Sequence, residues 1–459
     1  MSRHITRKLG PIAALAAVAA LSACSTVSRV GDAVWPFGDG EGASPERATP
    51  EDGRVSILAF EQQLTPDPTL AAQRIVVPPA TPQADWSQPG GTADNSPAPF
   101  TGAAVLERAW RADLGQGSNN RSQLAAPPVI ADGRLFFLDA DHRVHAISAS
   151  DGERLWAENV RPRDTRDRVA RGGGVAVGGG RVYVTTGFGF VVALDAATGD
   201  EVWRTQADAP FLSAPTVAGA RVYAITNDSE LMAFDATTGA VLWTHQAIAE
   251  PARILSASSV AVDGDTVVSP FPSGELVALL GGNGRRLWSD ALSRSGRLTS
   301  LSAINDIAGR PVLENGVVYA ASHSGVLAAI DVRSGQRGWA RSFASTQTPW
   351  LAGNVLYAVS IDGELAAFDA ATGNIYWVQQ LRRYEDENDR KGRVAWTGPI
   401  MVGGRLVLAN SVGDVIAVSP ENGQTVANTN VGKPVFIPPI SANDQIFIVT
   451  DEARLVVLR

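Results

Sequence analysis

A single cysteine, Cys24, is all that this chain of 459 residues contains. No intramolecular disulfide can form, and the cysteine-based ligand sets of structural zinc sites, iron–sulfur clusters and covalently held haem are excluded with it. Histidine is nearly as scarce. Of the five, only His142 and His145 lie close together, on a turn and strand beside Asp139 and Asp141. Further zinc ligands are missing nearby, so both read as solvated loop residues and no metal is expected. There is no phosphate-binding Gly-x-x-x-x-Gly-Lys segment; the glycine clusters at 172–174 and 178–180 flank a strand and read as turns. No serine sits in a nucleophile elbow with recognisable partners. A net charge of −8 gives no basic surface for nucleic acid. Catalytic residues and cofactors are therefore expected to be absent.

Repetition fills the place of those motifs. Residues 193–203, 233–243 and 367–377 spell nearly the same sequence, Ala-x-Asp-Ala-x-Thr-Gly followed by three variable residues and Trp. Weaker copies end at Trp156, Trp288 and Trp339, and a seventh, residues 417–427, keeps Gly423 but replaces the tryptophan with Ala427. The repeat glycines, from Gly152 through Gly199, Gly239, Gly284, Gly335 and Gly373 to Gly423, are separated by 47, 40, 45, 51, 38 and 50 residues. A period near forty with strand-like content predicts propeller blades.

One unit shows why. Residues 214–218 form a short apolar strand, and residues 221–227 alternate with β-branched and aromatic side chains. An Asn-Asp-Ser turn leads into a third strand ending at Asp235, Thr238-Gly239 makes the next turn, and residues 241–244 are the fourth strand. First turns recur eight times, at 131–133, 178–180, 218–219, 263–264, 314–316, 352–354, 403–404 and 442–444. The expected fold is all-β: an eight-bladed propeller of four-stranded antiparallel blades. The chain ends in the third strand of the last blade, and residues 105–110 carry an orphan repeat tryptophan, Trp110. The ring is therefore expected to close by pairing N- and C-terminal strands, which removes two open edges. The seven repeat tryptophans read as structural docking groups, and the aspartates Asp195, Asp235, Asp331 and Asp369 as acceptors for turn amides.

The first hundred residues read differently. Arg3, Arg7 and Lys8 precede an apolar run, residues 9–20, too short to span a bilayer and right for a signal-peptide core. It ends in Leu21-Ser22-Ala23-Cys24, which resembles a bacterial lipobox. Residues 1–23 are thus read as a lipoprotein signal peptide, with Cys24 the lipidated residue. Stable anchoring needs more than one acyl chain, as lipoproteins of this type carry. Ser25 in place of aspartate implies, by that resemblance, sorting to the outer membrane with the protein facing the periplasm. Residues 24–100, with eleven of the 27 prolines, are expected to be a tether. Two apolar islands, 55–58 and 75–77, are either docking points on the ring or sticky spots within the linker. The propeller is assigned to residues 101–459.

The repeat resembles that of propellers related to pyrroloquinoline quinone dehydrogenases. Together with the lipobox and eight blades in so short a chain, residues 100–459 and the signal region are similar to the BamB family, lipoprotein subunits of the outer-membrane β-barrel assembly machinery. The resemblance implies a non-enzymatic scaffold assisting folding and insertion of β-barrel proteins. Its implied partner is the β-barrel subunit, through that subunit's periplasmic domains; direct contact with unfolded outer-membrane proteins is left open. The competing reading is a periplasmic quinone-dependent dehydrogenase or other ligand-binding propeller. Such dehydrogenases typically carry adjacent cysteines and acidic calcium ligands, and the lack of both in this sequence discriminates against that reading.

Connectivity places the partner site. In each blade the turns between strands one and two and between three and four share one face. Turns between strands two and three, and crossovers to the next blade, share the other. The length variation sits in crossovers: residues 161–168, 249–255, 293–307 and 381–391. Long charged loops on a rigid scaffold signal binding. The crossover after Trp243 matches where BamB proteins contact the barrel subunit, which implies Arg253, Ile254 and Leu255 as contacts, followed by Arg297, Leu298 and Asp306 from the next crossover.

Overall fold

In the computed structural model, the described residues are 64–102, 105–162, 170–250, 258–293 and 304–459. They form eight four-stranded antiparallel sheets and one small hairpin. Blade 1 spans residues 129–159, blade 2 173–206, blade 3 216–246, blade 4 261–291, blade 5 312–342, blade 6 350–380 and blade 7 396–430. Blade 8 is built from Ile440–Ala442, Gln445–Val449, Arg454–Leu458 and, as its outer strand, Arg108–Asp113. The eight-bladed architecture is that expected from the repeats.

Within blade 3 the inner strand Thr216–Ala218 is wholly apolar or threonine, since it lines the crowded axis, and the two middle strands are buried on both faces. The outer strand Val241–Gln246 is largely exposed, an ordinary outcome for the last strand of a radial sheet. A β-bulge between Ala233 and Phe234 separates the third and fourth strands just before the Thr-Gly turn, and the equivalent bulge recurs in the other complete repeats.

The repeat tryptophans join neighbouring blades. Trp339 donates from Nε1 to the Ala370 carbonyl of the next blade at 2.9 Å, and Trp377 does the same to Pro420 at 3.0 Å. Trp156, Trp203, Trp243 and Trp288 make the equivalent bond. Each ring lies on the bare Cα of the next blade's repeat glycine. A Cβ on Gly373, whose φ is +70°, would stand 2.5 Å from the Trp339 ring. The glycine thus serves the positive φ of the turn and the stacking surface together. The repeat aspartates behave as expected: Asp235 Oδ1 accepts from the Thr237 and Thr238 amides at 2.9 and 2.8 Å.

Ring closure holds, with its strand moved. The sequence pointed to residues 105–110, whereas the outer strand is Arg108–Asp113, with Trp110 opposite Val457 and Asp113 opposite Arg454. The larger departure concerns the segment before it. From residue 64 onward the chain expected to be a tether is packed on the ring. Asp67 donates its N–H to the Ile375 carbonyl at 2.8 Å, a helical turn Pro68–Ala71 follows, and Ile75 is buried. Of the two apolar islands, 75–77 therefore docks; 55–58 lies outside the described residues. Residues 78–102 then cross the turn face over the channel, burying Trp86, Gln88, Asn95 and Phe100.

Candidate partner-binding face

The crossover face carries most of the features that could receive another molecule. Where the chain enters each inner strand, residues from blades 1, 2, 3, 5, 6 and 8 converge on the axis around a cavity of about 170 Å³. Leu124, Leu212, Phe436 and Ile437 form apolar walls, and Arg310 and Gln347 add polar lining. Phe436 stands 53% exposed at the lip, unusual for so large an apolar side chain. Burial lowers the pKa of Arg310 to about 10, which leaves it charged at neutral pH. The Arg310 amide donates to Thr348 Oγ1 at 3.0 Å, fixing blade 5 to blade 6 beside the cavity.

Of the residues that the sequence assigns to lipidation or partner contact, only Asp306 is described. Cys24, Arg253, Ile254, Leu255, Arg297 and Leu298 lie outside the described residues. Asp306 is not a surface residue: it is 4% exposed and lines a small cavity with Ser213, Ser258 and Phe271. By residue 306 the crossover has already turned inward toward blade 5, and the Asp306 carbonyl accepts from the His323 amide at 2.9 Å. Sequence reasoning missed Ile248, on the same crossover as Arg253, which is 62% exposed while its amide donates to Glu275 Oε2 at 3.1 Å. An apolar residue just past the last strand position was the available signal.

The fourth long crossover is fully described. Tyr384–Asp386 and Lys391–Arg393 pair as an antiparallel hairpin on the crossover face. Its base is held down by arginines: Arg382 to Asp414 at 3.2 Å, and Arg393 and Arg383 to Asp362 at 2.8 and 3.4 Å. Each bridge is partly solvated and individually weak, but together they fix where the hairpin stands. Its tip, residues 385–390, is exposed.

The expectation of solvated histidines fails on the same face. His142 and His145 are each 3% exposed. His145 Nε2 lies 2.9 Å from Asp139 Oδ2, and Asp139 also accepts the amides of Gln116, Asp141 and Arg143. The carboxylate thus ties the segment arriving from the closing strand to the second turn of blade 1. The His142 ring packs 4.8 Å from Phe188 of blade 2, centroid to centroid. The repeat folds both inward because this turn faces a neighbouring blade, which sequence spacing does not show. Among the described residues no group of three or more His, Cys, Asp or Glu could hold a metal ion.

Fold and face together define a class, the eight-bladed propellers with long crossovers on one face. The chain belongs to the family described as outer membrane protein assembly factor BamB, whose profile matches residues 101–168 and 163–379. It is 32% identical over 363 residues to the BamB of Escherichia coli (strain K12), covering 74% of this chain and 85% of that protein. The protein of Shigella dysenteriae serotype 1 (strain Sd197) shows the same identity and coverage. Among solved structures, BamB from Moraxella catarrhalis superposes with a TM-score of 0.65 at 22% identity, over 77% of this chain and all of that one. A quinohemoprotein alcohol dehydrogenase from Comamonas testosteroni reaches 0.62 at 16% identity, over 87% and 83%. Likeness at those identities shows a shared fold.

Proposed function

We propose that this chain is a non-enzymatic scaffold for outer-membrane protein assembly, assisting the folding and insertion of β-barrel proteins. Family membership supports the role, and relatives of this name are assembly factors by description. The scaffold is held at the periplasmic face of the outer membrane by lipid on Cys24. It docks the β-barrel subunit of the machinery through the crossover face, with Arg253, Ile254 and Leu255 as the main contacts and Arg297 and Leu298 beside them. Asp306, being buried, is not among the contacts.

The observation that favours this face is the 384–393 hairpin. It stands where connectivity placed all four long crossovers, pinned by three ion pairs to the ring. Exposed Ile248 adds apolar surface on the crossover that carries Arg253. An arginine beside apolar side chains is a common centre for an interface. The test is the triple variant Arg253→Glu, Ile254→Ser, Leu255→Ser, checked for folding by circular dichroism and then purified from detergent-solubilised outer membranes. Loss of the co-eluting barrel subunit is expected. Wild-type yield of that subunit with a folded variant would place the site elsewhere.

A further inference from the structure

The segment between the tether and the closing strand touches every blade. Trp86 exchanges two 2.8 Å hydrogen bonds with Ile130 of blade 1, and the Ser87 carbonyl accepts from the Val177 amide of blade 2 at 2.8 Å. The Gln88 side chain bridges two blades, donating to the Val177 carbonyl at 3.3 Å and accepting from the Val217 amide of blade 3 at 3.0 Å. Ala93 accepts from Val262 of blade 4 at 2.7 Å, and Asp94 from Leu313 of blade 5 at 2.9 Å. The Asn95 amide spans those same two blades, donating to the Val260 and Pro311 carbonyls at 3.3 and 2.9 Å. Phe100 exchanges bonds of 3.0 and 2.8 Å with Met401 and Gly403 of blade 7, and Gln83 accepts from Asn443 of blade 8 at 2.9 Å. Blade 6 supplies Trp350, 6.4 Å from both Trp86 and Phe100, which are themselves stacked at 5.2 Å.

Inner strands of a propeller converge without pairing with one another, so their axial groups need partners from elsewhere. Here one segment of the same chain provides them, and its two buried amides each join a pair of blades. We propose that residues 78–102 are a hub: a built-in ligand of the channel that holds the eight inner strands together and seals the turn-face mouth. The axial cavity is then a blind cup reached only from the crossover face. That assignment stands whether or not the crossover loops bind the barrel subunit.

The experiment uses the full mature chain with a protease site inserted between residues 102 and 105, cleaved after folding. The hub predicts that the N-terminal fragment stays with the ring through gel filtration in native buffer. It also predicts that cleaved protein carrying Trp86→Ala, Gln88→Ala and Asn95→Ala loses the fragment. Release from the unsubstituted cleaved protein, or retention by a folded triple variant, overturns the proposal. If the triple variant does not fold, Gln88→Ala alone is read by amide hydrogen exchange. Faster exchange at Val217, with the outer strands unchanged, is the expected result; no change at Val217 counts against the hub.

Discussion

Burial of the His142 ring beneath Phe188 makes its protonation state matter to the fold. Burial lowers its pKa from 6.5, opposed by the Ala170 carbonyl and by Asp139. The unfolded chain therefore binds this proton more readily than the native one. Stability from the site is complete above pH 6.5 and is lost as pH falls through 6.5 toward the lower native value. Asp139 contributes in a second window. Burial raises its pKa, but the bonds from His145, Arg143 and Gln116 outweigh that and leave it below 3.8, so its share is lost only in stronger acid. Thermal melts should be level from about pH 7 to 8 and decline as pH falls below about 6.5. His142→Asn, which suits the residue's φ of +55°, should flatten that decline. An unchanged slope in the variant would assign the acid sensitivity to other groups.

Among the elements, the closing strand carries the sharpest expectation. Arg108–Asp113 covers the edge of Arg454–Leu458, which deletion would leave as an open strand. Removing residues 105–113 should lower the melting temperature markedly, while removing residues 26–54 should leave it within a degree or two, since the described ring contacts begin at residue 64. Equal melting temperatures would sink the closure argument. Sequence placed this strand three residues early because it took Trp110 as the strand's end. In every complete repeat the tryptophan is the third residue of its strand, as in Arg154–Asn159 and Glu201–Gln206, and Trp110 obeys the same rule. The blades were legible because each repeat must bury the same faces and turn on the same glycine. The absent eighth tryptophan now has a reason: in blade 8 no Thr-Gly turn joins the third and outer strands, which come from distant parts of the chain and meet where Glu107 and Arg459 exchange backbone bonds. Ala427 stands where a tryptophan would have no glycine to rest on. Residues 78–102 were not legible, because their bonds run mostly through backbone and leave a proline-rich composition indistinguishable from a linker. The contact residues of the crossover face were least legible of all. Loops there are chosen for a partner, and no internal periodicity constrains them.

At the scale of the whole molecule, every described contact of the ring lies at residue 64 or beyond, well past Cys24 in the chain. The lipid attachment proposed at Cys24 should accordingly be removable without harm to the ring. Cys24→Ala is expected to leave the precursor uncleaved by lipoprotein signal peptidase and free of acyl label, with the melting temperature of the purified ring unchanged. Normal maturation would refute the lipobox reading. The hub has a consequence of a different kind. Repeats this alike are prone to duplication or loss, and a tryptophan resting on a glycine fits any neighbouring repeat equally well. Nothing in that joint distinguishes seven blades from nine. Residues 78–102 do distinguish them, since their bonding groups meet blade 8 at Gln83, blades 1 to 5 in order from Trp86 to Asp94, and blade 7 at Phe100. A ring of another size would strand Gln88 or Asn95 between carbonyls it cannot bridge. The segment is in effect a gauge, by which the chain measures its own circumference.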